Sequence, residues 1–251
     1  MNAGISANRP SIWPEHASAR GLKVGGITPF TATDYPGKLA AVVFVQGCPW
    51  RCDYCHNPHL QPRTADSPLD WRKVMALLRR RVGLIDAVVF SGGEATVDPA
   101  LPDAIAEVSA LGFRIGLHSA GAYPKRLAEI LPVLDWIGLD IKAPFAHYAR
   151  ITRIADSGRH ALQSAEAVLA SAVDHEFRTT IHPSLLSEPD ILQLAQTLSG
   201  MGVQNYALQL FRARGCRDDR LNAVSMTAYP DTGTVQRVAA LFPHFSLRQA
   251  E

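Results

Sequence analysis

The stretch Leu39-Ala40-Ala41-Val42-Val43-Phe44-Val45 runs directly into Gln46-Gly47-Cys48-Pro49-Trp50-Arg51-Cys52-Asp53-Tyr54-Cys55-His56-Asn57. Its first seven residues are all apolar, and three of them are valine. Such a run reads as a strand buried on both faces, the kind found in parallel sheets wrapped by helices. Three cysteines spaced C-x3-C-x2-C follow it at once. Reactive groups just past the C-terminal end of a buried parallel strand mark the functional end of a barrel or an open α/β sheet.

On the N-terminal side, residues 1–22 read as a flexible arm rich in Pro, Ser and Ala, and 23–38 as a short strand with a turn at Asp34-Tyr35-Pro36-Gly37. On the C-terminal side, strand-like and helix-like segments alternate. Ser67-Pro68 offers a cap and a first-turn proline for a helix to about residue 81, and Asp98-Pro99 repeats the signal for a helix to about 111. Further strands are expected at 85–90, 113–118, 136–141, 177–182 and 205–210, and further helices near 124–131, 159–173 and 188–198. The segment 211–230 reads as a loop; a helix at 234–241 and a short strand at 244–247 follow it. Six successive βα units predict an α/β fold: a partial, open (β/α)6 TIM-like barrel with parallel strands, carried by a single domain over 23–251. A doubly wound open sheet is the alternative that periodicity leaves standing.

The chain has 251 residues, 47% hydrophobic and 19% charged, which suits a substantial core. A net charge of +2 gives no footprint for nucleic acid. The longest apolar run is the seven-residue strand, far short of a membrane span, and the first twenty residues lack an apolar signal core. The expectation is a cytoplasmic protein with neither a nucleic-acid nor a membrane partner.

The polar motifs fall at strand ends. Ser91-Gly92-Gly93-Glu94 follows the second major strand, His118-Ser119-Ala120-Gly121 the third, and Asp140-Ile141-Lys142 the fourth. Arg178, Thr180 and His182 alternate along the fifth and share one face, and Gln209 ends the sixth. Polar groups at six consecutive strand tops converge on one mouth, which a purely structural role does not account for. For the cysteines, soft thiolates select zinc, copper or iron–sulfur clusters. A structural zinc with His56 as fourth ligand is one reading, although zinc sites usually pair two separated knuckles. A disulfide with a spare thiol is another, disfavoured in a cytosolic chain. Three thiolates on a [4Fe-4S] cube with one iron left open fit best.

The C-x3-C-x2-C spacing, with Tyr54 before the third cysteine and Gly92-Gly93-Glu94 after the next strand, resembles the radical S-adenosylmethionine (SAM) superfamily. Asp34-Tyr35-Pro36-Gly37-Lys38, Tyr54-Cys55-His56-Asn57-Pro58, Leu139-Asp140-Ile141-Lys142-Ala143-Pro144 and Phe177-Arg178-Thr179-Thr180 extend the likeness to the activating enzymes of glycyl radical enzymes. Within these it is most similar to the short anaerobic ribonucleoside-triphosphate reductase activating proteins. The resemblance implies a [4Fe-4S] cluster on Cys48, Cys52 and Cys55 that binds SAM and, on one-electron reduction, yields methionine and a 5′-deoxyadenosyl radical. It implies that Tyr54 lies near the adenine and that Gly92, Gly93 and Glu94 meet the methionyl amino group. Two glycines permit close backbone approach, and a carboxylate accepts from an ammonium. Asp140 and Lys142 match positions lining the SAM pocket, and Arg178 and His182 lie on the strand that forms another wall. A surface ion pair at Asp140–Lys142, a solvated strand-edge Arg178 and a satisfied core His182 are the alternatives for those residues.

The partners implied are a glycyl radical enzyme, with anaerobic ribonucleotide reductase first, and a flavodoxin-like electron donor. The runner-up is a radical SAM enzyme acting on a small molecule, similar to 7-carboxy-7-deazaguanine synthase; a third reading is a non-catalytic zinc- or cluster-binding protein. One segment departs from the pattern. Related activases carry Asp-Thr-Asn-Gly where this chain has His118-Ser119-Ala120-Gly121. By resemblance the missing aspartate helps build a monovalent-cation site or contacts the SAM ribose, so cation dependence is expected to be lost here, with Ser119 keeping a polar contact. Cys216 reads as an inert or partner-facing thiol.

Overall fold

The computed structural model describes residues 18–249. Two antiparallel strands open its sheet, β1 (Val24–Thr31) and β2 (Ala40–Val45). The chain then alternates through α1 (Trp71–Arg79), β3 (Ala87–Gly92), α2 (Leu101–Ser109), β4 (Arg114–Ser119), α3 (Pro124–Ile130), β5 (Trp136–Asp140), α4 (Tyr148–Thr152), α5 (Ser157–Leu169), β6 (Asp174–Ile181), α6 (Glu188–Gly200), β7 (Asn205–Leu210), α7 (Asp219–Asn222), α8 (Thr232–Ala239) and β8 (His244–Arg248). The strands lie in sequence order in one eight-stranded sheet, parallel from β2 to β8, and β1 does not pair with β8. This is the open, partial α/β barrel that the alternation predicts.

The two faces of β2 explain its unbroken apolar run. Ala41, Val43 and Val45 join the main core with Val74, Met75 and Leu78 of α1. Ala40 and Val42 face the other way and pack with Ala87, Val89, Tyr35 and Trp136 in a second, smaller cluster that includes no helix residue. The Tyr35 and Trp136 rings meet at 5.2 Å and fill the concave side of the sheet near the strand starts. The polar residues at the strand ends therefore border the remaining open space. The β1–β2 ladder is irregular between Thr28 and Thr31, where Pro29 and Phe30 interrupt the register.

Several boundaries differ from expectation, each for a long-range reason. Ser67 does not cap α1: its Oγ accepts from Val24 N at 2.9 Å and donates to Leu69 O, pinning this segment beside β1. Asp70 caps instead, accepting from Arg72 N at 2.7 Å. Asp98 is fully buried and accepts from Lys23 N, Arg63 Nη2 and Ala100 N, so α2 begins at Leu101. Of the arm expected at 1–22, residues 1–17 lie outside the described residues; Ala19–Gly21 form a 3-10 turn, and Ala19 and Leu22 are buried in the core. The short helices α4 and α7 lie in segments that periodicity left without an element. Among the described residues, no helix is long and apolar enough to cross a membrane.

Candidate active site

The cysteine loop starts where β2 ends and is held on three sides. From the sheet side, Gly47 N donates to Leu60 O at 2.8 Å and Cys48 N to Gln61 O at 3.0 Å. From α4, Thr152 O accepts from Arg51 N at 2.9 Å, Arg153 grips the Asp53 carboxylate through two bonds of 3.0 and 2.7 Å, and Tyr148 meets the buried Trp50 edge-on at 5.6 Å. From the segment after β7, the His56 ring stacks on Phe211 and its Nε2–H donates to Arg212 O at 3.0 Å. Burial lowers His56 to about 4, with the Arg212 charge adding to it, so the ring is neutral near pH 7. The sequence could not place α4 as a clamp, because nothing local to 148–153 refers to the cysteines.

Cys48, Cys52 and Cys55 are free thiols, partly buried, around one cavity of about 150 Å³. Tyr54, Gly92, Gly93, Ser119, Asp140 and Lys142 line the same cavity, as the strand-top reading expects. Trp50, Gln61, Ser91, His118 and Thr180 also line it; of these only Trp50 and Gln61 carried no sequence signal of any kind. Burial pushes the Cys48 thiol up to about 12, helped by the nearby Glu94 charge. Burial raises Cys52 too, while Lys142 works against it.

Three expected residues do not face the cavity. Glu94 is buried behind it: Oε1 accepts from Thr96 Oγ1 at 2.6 Å and Ser119 Oγ at 2.8 Å, and Oε2 accepts from Ala120 N at 2.8 Å. It ties the β3 turn to the β4 turn. Arg178 is buried beneath Asp140, donating from Nε to Oδ1 at 2.8 Å. His182 is a satisfied core histidine: Nδ1 accepts from Ser184 N at 3.1 Å, Nε2 bonds Leu221 O at 3.2 Å, and Phe211 meets the ring edge-on at 4.9 Å. It anchors the end of β6 to the segment containing α7. Periodicity had put His182 on the same face as Arg178, but it lies just beyond the end of β6, where the chain turns away.

The two glycines of the β3 turn have a steric cause. Gly92 has φ +127°, and a Cβ there would sit inside the Val45 backbone; a Cβ on Gly93 would overlap the Gly47 carbonyl. Gly93 N donates to Val45 O at 3.0 Å and Glu94 N to Gly47 O at 2.8 Å, so the turn lies directly on the root of the cysteine loop. On the opposite wall, Lys142 Nζ lies 5.4 Å from the Tyr54 ring centroid. Burial favours neutral Lys142, but Tyr54, Cys52 and Asp140 together hold its pKa well above the usual lysine value. Burial likewise opposes the Asp140 charge, yet Arg178 and then Lys142 hold its carboxyl below the usual range. His118 donates from Nε2 to Asp34 O at 2.8 Å and meets Trp136 edge-on; burial, then Arg178, lowers it to about 4.

The donor set decides between metals. Among the described residues, no three His, Cys, Asp or Glu side chains converge as a single ion requires. The His56 Nε2 that would complete a zinc tetrad is occupied by Arg212 O. Three thiols spread around a cavity fit a polynuclear cluster better than a mononuclear site.

The family model described as the radical SAM superfamily matches residues 42–197. A putative glycyl-radical enzyme activating enzyme of Methanocaldococcus jannaschii is 27% identical over 218 residues, covering 81% of this chain and 85% of that protein. A pyruvate formate-lyase-activating enzyme of Clostridium pasteurianum is 33% identical over 125 residues, 48% of this chain and 52% of that one. Among solved structures, Streptococcus suis SuiB bound to S-adenosylmethionine superposes with a TM-score of 0.60 at 11% identity, over 81% of this chain and 48% of SuiB. QueE from Escherichia coli superposes at 0.50 and 14%, over 90% of this chain and 93% of QueE; both likenesses are of fold. Because the family model spans more than half of the chain, the protein is a radical SAM enzyme, and its cofactors are a [4Fe-4S] cluster and S-adenosylmethionine.

Proposed function

We propose that this enzyme activates a glycyl radical enzyme by abstracting a hydrogen atom from a backbone glycine of that partner. The observation that carries the reading is the Methanocaldococcus relative, matched over most of both chains. Anaerobic ribonucleoside-triphosphate reductase is the partner we infer, with a flavodoxin-like protein as electron donor; the segments at 34–38 and 139–144 support that branch. The radical SAM domain, expected over 23–251, is taken to include residues 19–22 as well, since Ala19 and Leu22 pack in its core, and the reaction to run in the cytoplasm.

In this reading Cys48, Cys52 and Cys55 hold the cluster as thiolates and leave one iron open. Once bound, the cluster and SAM supply reductive cleavage of the sulfonium and a hydrogen-abstracting radical. The protein's own residues bind, orient and exclude water. Gly92 and Gly93 present backbone to the methionyl end, and Glu94 fixes that turn from behind. Tyr54, Ser119, Asp140 and Lys142 form the walls; Arg178 and His182 act through them, by holding Asp140 and the end of β6. Hydrogen-atom abstraction needs no acid–base pair.

Beside the first cavity lies a wider one of about 600 Å³, sharing His56 and Thr180 and lined also by Asp34, Gln209 and Arg212. Its size and polar lining leave room for a peptide backbone. The test is anaerobic reconstitution with iron and sulfide, then electron paramagnetic resonance with and without SAM, then mixing with the reductase. The expected result is a cluster signal altered by SAM and a glycyl radical on the reductase. A SAM-sensitive cluster that leaves the reductase silent would reject the partner; a cluster indifferent to SAM would reject the site assignment.

A further inference from the structure

Strands β6, β7 and β8 each carry one polar side chain at the same height. Thr180 stands in register with Gln209 across the β6–β7 ladder, and Gln209 with Arg248 across β7–β8. In-register neighbours of a parallel sheet point to the same side, and all three residues line the wider cavity. Thr180 also lines the cysteine cavity. The row therefore begins where SAM binds and leads away onto β8, a strand beyond the six βα units of the barrel. Neighbouring strands lie about 4.8 Å apart, so the row spans about 10 Å, the length of about three residues of extended chain.

The row offers hydrogen bonding without net charge. The Thr180 hydroxyl and the Gln209 carboxamide are half-buried and make no hydrogen bond among the described residues. Arg248 spends its charge on Glu176, donating from Nη2 to Oε2 at 2.7 Å, and keeps further N–H groups. The other charges of the lining are one of each sign, Asp34 and Arg212, and Asp34 also accepts from Thr31 Oγ1 at 2.7 Å. An anionic ligand finds no unbalanced cation here, whereas a neutral chain of donors and acceptors finds a partner at each step. A carboxamide holds a donor and an acceptor side by side, as a peptide group does, so the two can join through two hydrogen bonds.

We propose that the Thr180–Gln209–Arg248 row binds the main chain of the target segment, with the Gln209 carboxamide on the peptide group beside the reacting glycine. The inference rests on the reading that the substrate is a backbone glycine of a partner protein. Bonds to the main chain fix where the glycine lies without reading the side chains that flank it.

The experiment uses the reconstituted enzyme with SAM, dithionite and the anaerobic reductase, and compares the wild type with Gln209→Leu and Gln209→Ala. Glycyl radical is counted by electron paramagnetic resonance. In both variants the reductase concentration giving the half-maximal rate should rise on the order of tenfold, as expected for two lost hydrogen bonds. Iron content and the change that SAM makes in the cluster spectrum should match the wild type. Two synthetic peptides copying the reductase segment, with an α-dideuterated glycine and an N-methyl group on the bond before or after it, give a readout that a merely structural role would not move. Deuterium transfer into 5′-deoxyadenosine by the wild type should fall on the order of tenfold for one of the two, relative to the unmethylated peptide, and for neither with Gln209→Leu. Equal half-maximal concentrations, or no methylation penalty in the wild type, would overturn the subsite while the wild-type glycyl radical upholds the reading beneath it. No glycyl radical with the wild type would overturn both.

Discussion

Arg178 donates from Nε to Asp140 Oδ1 at 2.8 Å, directly below the cavity wall, and the missing side chain of Gly138 leaves room for its guanidinium. A fixed internal cation thus sits against the carboxylate that borders the site, while His118 nearby is neutral. An added alkali cation would meet an aspartate already paired. Replacing sodium and potassium by tetramethylammonium should therefore leave the rate of SAM cleavage unchanged. Stimulation of several-fold by either ion would show that the pair does not stand in for a bound cation.

The same pair sets a pH dependence. Asp140 has a folded pKa below its unfolded value of about 3.9. Its contribution to stability is present above that unfolded value and is lost as pH falls through the folded one. Urea midpoints of the wild type and Asp140→Asn should therefore differ most near neutrality and converge below about pH 4. A gap that stays constant to pH 3 would assign the effect to packing instead.

Gly138→Ala should strain this wall. The new Cβ would lie 2.7 Å from Arg178 Cζ and 2.8 Å from Trp136 Cη2. Overpacking of that kind costs about 1–3 kcal/mol, readable as a lower urea midpoint. SAM affinity should fall as well, because Arg178 must move to relieve the contact. An unchanged midpoint would mean that the wall yields freely.

Glu94→Ala would strip partners from Thr96, Ser119 and Ala120 at once. Leaving such buried donors unsatisfied costs on the order of 3 kcal/mol. We expect a cluster that still assembles but an electron paramagnetic resonance signal that SAM barely alters, since the β3 and β4 turns lose their tie. A full SAM response would make Glu94 purely structural.

Each of Cys48→Ala, Cys52→Ala and Cys55→Ala should abolish the cluster, whereas Cys216→Ser should keep its full iron content. Cys216 Sγ donates to Asp53 O at 3.7 Å and accepts from Asp218 N at 3.4 Å. Iron and sulfide analysis after reconstitution checks all four variants together; a loss of iron in Cys216→Ser would place that thiol in the ligand set.

Strands were the most legible part of this fold, because burial on both faces writes itself as unbroken apolar runs such as 39–45. The position of motifs at strand ends was legible for the same reason. The orientations were not. Ser67 and Asp98 carry helix-cap signatures, yet Val24 N and Lys23 N, more than forty residues away, claim them. Glu94 looks like a ligand carboxylate in sequence, but three donors from two turns hold it behind the cavity. His182 shares the parity of Arg178, and only the turn after β6 directs it to Leu221. Each case was decided by partners remote in sequence, which a local pattern does not encode.

Leaving the barrel unclosed gives the sheet two edges, β1 and β8, and the longer, β1, could recruit a second chain into a growing aggregate. Here that margin is poorly suited to templating. Gly25 and Gly26 weaken its extended bias, Pro29 removes a backbone donor, and the break in register between Thr28 and Thr31 bends what remains. On its β1 side the sheet can stay open without offering a stranger a strand to zip onto.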